Sequence, residues 1–137
     1  MTPPSNSAAA AKLPAGVLGL AALLAASAAN HFVRPGFYYP VVPPAITFAS
    51  GPLTRDGWIR ISGVLEFAAA AGLLIPQTRH AAGTCTSVMF AGFTAGHLSA
   101  LKRAFGPDGT KRARIIHSLR LPLQVPLVVW AWRTRLL

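Results

Sequence analysis

Thiols and acids are scarce in this chain of 137 residues. Cys85 is the single cysteine, which excludes an internal disulfide, a CxxC redox pair and a cysteine-based zinc site. Its expected place is that of a small, buried apolar residue. The acids are Asp56, Glu66 and Asp108 alone, so paired carboxylates of the glycosidase kind are missing. A Ser/His/Asp order and a phosphate-cradling glycine loop are missing too. Charged residues make up 12% of the chain, about half of what a soluble domain keeps to face water. Apolar residues make up 53%, and mean hydropathy is +0.47. Those figures point to a bilayer.

Charge is also one-sided, with 13 Lys and Arg giving a net +10. A nucleic-acid binder would interleave its basic residues with aromatics on one face, whereas here they mostly sit between long apolar runs, as they do around membrane spans. Nucleic acid is therefore not an expected partner.

Four apolar runs can be read, at about 13–33, 58–75, 81–101 and 115–132. Each is near the ~20 residues that cross a bilayer. The expected fold is an all-α membrane protein, a four-transmembrane-helix bundle with a Pro/aromatic-rich loop between helices one and two, forming a single domain over 12–137. Residues 1–11 are polar, Pro-containing and low in complexity, and are expected to form a mobile tail. The start of run one also resembles a signal peptide, with Lys12 before the apolar stretch and Ala26, Ser27 and Ala28 as a cleavage site. The long polar lead and the runs that follow favour a retained helix.

The first loop carries Pro35, Pro40, Pro43 and Pro44, too closely spaced for an α-helix, and Phe37, Tyr38 and Tyr39 suit a membrane interface. Gln77, Thr78 and Arg79 read as a short polar turn after Pro76. Loops one and three hold seven Lys and Arg against four at the termini and loop two, so the positive-inside rule places loops one and three in the cytoplasm of a multi-pass inner (plasma) membrane protein.

Polar residues inside the runs carry the functional signal, because an ionisable group at mid-bilayer depth needs a partner or a wet cavity. Glu66 lies mid-run, with Ser62, Gly63, Ala69 and Ala70 on its face, small enough to let a neighbouring helix come close. His117, Arg120 and Gln124 form a stripe on run four. Arg120 keeps its charge at any relevant pH, and its depth differs from that of Glu66 by roughly 6 Å, so the two are expected to pair. Asn30 and His31 end run one and His97 lies near the end of run three, which gathers all of these groups at the level of loops one and three. A one-sided polar pocket is the expectation. The four histidines are spread over separate runs, which points away from a metal centre. Pro122 and Pro126 each remove a backbone donor, so a kink beside Arg120 is expected, most simply as a packing bend.

Three segments together resemble the DoxX family of small bacterial membrane proteins: HFVRPGFYYPVVPP (31–44), SGVLEFAAAAGLLIPQTR (62–79) and LRLPLQVPLVVWAWRTR (119–135). The resemblance implies a four-helix membrane bundle and an association with thiosulfate:quinone oxidoreductase, thiol-redox complexes or the assembly of partner proteins. With Cys85 alone, the chain lacks the cysteine pair that a thiol–disulfide mechanism would use. No catalytic residue is assigned. Two functions are carried forward. One is an accessory or assembly subunit, held in the lipid bilayer beside a membrane-protein partner or a second copy, with Glu66 and Arg120 as a structural polar core. The other is a quinone-linked oxidoreductase component that binds a quinone or lipid in the pocket, with His31 or His97 relaying protons and Arg120 bonding a ligand oxygen.

Overall fold

A computed structural model describes residues 12–137, and the tail expected over 1–11 lies outside them. The described residues are helical and contain no strand: α1 (Ala15–Val33), α2 (Arg55–Leu74), α3 (Pro76–Ala104), α4 (Lys111–Arg120) and α5 (Gln124–Thr134). Three helical stretches are long and apolar enough to cross a membrane, namely Ala15–Val33, Arg55–Leu74 and Lys111–Thr134, the last joining α4 and α5. The third apolar run corresponds to α3, which is the longest helix at 29 residues yet is not among these three.

Local chemistry accounts for the helix ends. The hydroxyls of Thr54 and Thr110 accept from the backbone N–H groups of Gly57 and Ala113, capping α2 and α4. Pro76 opens α3, where a missing N–H costs nothing. The expected polar turn at 77–79 is thus part of α3, and Ile75 alone joins α2 to α3. Arg79 is buried there. Its Nε donates at 2.9 Å to the Leu73 carbonyl, an acceptor that the end of α2 leaves open, and its Nη1 donates at 3.0 Å to the Leu137 carbonyl beyond α5. Between α4 and α5 the chain turns through Leu121, Pro122 and Leu123. Pro126 cannot donate to the Pro122 carbonyl, which accepts from Val125 instead.

The dry core lies at the α2–α3 turn end. Val17, Leu20, Ala21 and Leu24 follow helical spacing along α1 and meet Ala70, Leu73, Phe90 and Ala131. Outward faces are apolar as well, with Val64, Phe67, Val88, Leu98, Leu119 and Val125 all exposed. Cys85 belongs to this outer surface of α3 and is exposed, contrary to the buried place expected for it. An outer surface rich in large apolar side chains suits lipid as the surrounding solvent.

At the other end, loop one makes three short 3-10 turns, Pro35–Phe37, Tyr39–Val41 and Pro44–Ile46, each opened or occupied by a proline. It is tied to three helices. Tyr38 Oη donates to the Ser27 carbonyl of α1 at 3.1 Å, Trp58 Nε1 of α2 donates to the Ile46 carbonyl at 2.7 Å, and Arg103 of α3 donates to the Pro40 carbonyl. Gly96 makes room for it on α3, since a β-carbon there would stand 2.3 Å from the Val41 carbonyl oxygen.

A polar cavity beneath the first loop

Under this loop lies a cavity of about 610 Å³, walled by α1, α2, α3, the α4–α5 turn and the loop itself. Its walls are mostly apolar, with Leu24, Ile59, Phe90 and Leu127 among them. Five of the residues singled out from the sequence line it: His31, Glu66, His97, Arg120 and Gln124. The other two do not. Asn30 turns to the loop, its Nδ2 donating to Tyr38 Oη at 3.2 Å. His117 is buried against a second, smaller cavity of about 200 Å³ at the α3–α4 corner, beside Arg103 and Thr110.

Glu66 is 3% exposed, and its partner is a histidine. His31 Nε2 stands 3.5 Å from Glu66 Oε1. This corrects the expected Glu66–Arg120 pair, and the reason is helix adjacency. A β-carbon on Gly63 would lie 2.9 Å from His31 Cβ and 2.8 Å from the Phe32 ring, so α1 and α2 touch along the face that carries Glu66 one turn further on. α4 packs chiefly against α3. Arg120 instead lies over the Phe37 ring, with Cζ 4.8 Å from the centroid, and has no hydrogen-bond acceptor among the described residues.

The tautomer of His31 follows from its other contact. Nδ1 is 2.7 Å from the Ile59 carbonyl, which can only accept, so Nδ1 carries a proton. For the contact on the far side to be attractive, one more proton must lie between Nε2 and Glu66, held either by the imidazole or by the carboxyl. Tyr38 stacks on the imidazole at 3.7 Å between centroids and fixes its plane. The second carboxyl oxygen, Glu66 Oε2, is buried without a partner, as are His97 Nδ1 and Gln124 Oε1. Buried polar atoms are nearly always bonded, and three without partners around one cavity mark it as a place where a polar group from outside would be welcome.

Tyr38, Trp58 and the Ile59 carbonyl are the site residues that sequence reading missed as such. Tyr38 was legible only as an interface aromatic. The carbonyl of Ile59 has no signal in a sequence at all.

Fold and site together define an all-helical protein with several apolar helices compatible with a membrane and a buried, partly polar cavity at one end. Residues 20–135 match a family described as a domain of unknown function, DUF8561, and the chain belongs to that family. The resemblance to DoxX proteins is thereby overturned, since the family that matches is a different one. An acid among small residues and a Leu/Pro-rich last helix are features that bilayer packing selects in unrelated chains, because small residues allow close approach and prolines are common in membrane helices. No curated protein and no solved structure matches the chain.

Proposed function

We propose that this chain is a multi-pass inner-membrane protein whose cavity holds one small amphipathic molecule, a quinone or a lipid, with the head among His31, Glu66, His97, Arg120 and Gln124. In this reading α3 is a fourth spanning segment beside α1, α2 and the α4–α5 pair, giving a four-helix bundle closed by loop one. Its polar residues do not oppose that. The hydroxyls of Thr84, Thr86 and Thr94 donate to the carbonyls of His80, Ala82 and Phe90 four residues back, and Ser87 donates to the Val128 carbonyl of α5. Hydroxyls satisfied in this way can sit in hydrocarbon.

The observation that carries the reading is that three residues lining one cavity of about 610 Å³, Glu66, His97 and Gln124, each hold a buried side-chain atom without a partner. A purely structural polar core would close such groups on one another. That volume falls in the range of small-molecule sites, roughly 300–1,000 Å³. Leu65 on α2 and Gly92 and Ala95 on α3 line the cavity and are exposed, which gives a tail a way out between these two helices. The role is that of a ligand-holding accessory subunit serving a larger membrane complex.

Purification in a mild detergent, followed by mass spectrometry of what co-purifies, tests this. The expected result is a quinone or lipid near one per chain that is lost when Leu65→Trp fills the opening. A protein partner recovered in stoichiometric amount, with no small molecule above the level of bulk lipid, would overturn it.

A further inference from the structure

We infer that the molecule held in the cavity is acidic, a long-chain amphiphile whose head carries one negative charge at Arg120, such as a fatty carboxylate. This rests on the ligand-binding reading above and adds the charge of the ligand to it.

The charge balance of the cavity walls leads there. Four ionisable residues other than tyrosine line it: His31, Glu66, His97 and Arg120. His31 Nε2 faces Glu66 Oε1 at 3.5 Å, so the Glu66 carboxyl group has its partner in the imidazole and not in Arg120. His97 has an unpartnered Nδ1 and needs no charge to be satisfied by a hydrogen bond. Tyr38 also lines the cavity, but its hydroxyl is engaged with Ser27 and Asn30. Arg120 is left. Its guanidinium cannot lose its proton, and its one described contact is the Phe37 ring.

A neutral guest would leave that cation unmatched beside an apolar wall, where unpaired charge is costly. A carboxylate would match it with two parallel N–H donors, the geometry for which guanidinium is suited. With the proton lying between His31 Nε2 and Glu66 Oε1, the unpartnered Glu66 Oε2 can only accept, so the guest's carboxylate belongs at Arg120 and not at Glu66. Arg120 lies just under Phe37 of the interfacial loop, so an acid head would rest near the membrane surface with its chain running down the wall formed by Leu65, Phe93 and Leu127.

The test uses the full chain in a neutral detergent, with native mass spectrometry reading one-to-one adducts for three probes: oleate, oleyl alcohol and a short-tailed benzoquinone. The unmodified chain is expected to take oleate at least about tenfold more tightly than either neutral probe. Arg120→Gln should erase that preference and Arg120→Lys should keep most of it. Equal uptake of all three probes, abolished by Leu65→Trp, would overturn the acidic assignment while leaving the cavity as a ligand site. No saturable uptake of any probe would overturn both. The preference of the unmodified chain decides the matter even if the Arg120 variants fail to fold.

Discussion

Gly63 on α2 and His31 on α1 are packed so closely that a β-carbon on the glycine would stand 2.9 Å from the histidine's own. That approach puts an imidazole in reach of Glu66 three residues further along α2. Gly63→Ala should therefore cost about 1–3 kcal/mol through overpacking and lose the His31 contact, read as a lower midpoint of thermal unfolding in detergent. An unchanged midpoint would mean that the two helices are less tightly joined than described.

His31 and Glu66 should be energetically coupled, and Glu66 and Arg120 should not. Removing the imidazole with His31→Ala leaves a buried carboxyl group with no partner, at about 3–5 kcal/mol if it stays charged. A double-mutant cycle of His31→Ala with Glu66→Gln is expected to show coupling above about 0.5 kcal/mol, while the cycle of Glu66→Gln with Arg120→Gln should add within that margin. The reverse ranking would restore the carboxylate–guanidinium pair expected from the sequence.

Arg79 closes two carbonyls at the dry end of the bundle. Arg79→Ala should destabilise by about 1–3 kcal/mol, and Arg79→Lys should recover only part of this, because one ammonium cannot reproduce a planar fork aimed at two acceptors. Chemical unfolding of the two variants side by side measures the difference.

On the loop surface, Tyr39 Oη donates to Asp56 Oδ1 at 2.7 Å. The bond to the carboxylate and its negative charge hold the phenol's pKa above its ordinary range. The group is neutral when protonated, so whatever this bond contributes is fully present below the pKa of the unfolded chain and is lost as pH rises through the higher folded value. Ultraviolet titration of the phenols should show one of the two tyrosines moving to lower pH in Asp56→Asn. A curve unchanged by the substitution would show that the bond does not form in solution.

Hydropathy made the helices legible, since apolar runs of bilayer length leave few other structures open to the backbone. α3 shows the limit of that signal. Its threonines lower the apolar score, and only the structure shows their hydroxyls folded back on carbonyls of the same helix. Glu66, Arg120 and Gln124 stood out as polar groups in apolar runs, and all three line the cavity. The partner of Glu66 could not be read, because depth along a helix says nothing about which helices are neighbours. His117 shares a stripe with Arg120 by spacing, yet the turn at 121–123 and the packing on α3 send it to the other cavity. Arg79 looked like a turn residue because Pro76 marks a boundary, and it is a boundary only of the single residue Ile75.

The single-residue link between α2 and α3 has a consequence for how the cavity is filled. Two helices tied so tightly at one end can differ in separation only at the other, so the aperture by Leu65 and Ala95 behaves like the open end of a pair of tweezers. With the loop fastened to three helices above it, the proposed guest would reach the pocket from the acyl chains. On the proposed reading the bilayer would act as a first filter, so that only compounds already dissolved in it would be presented to Glu66 and Arg120.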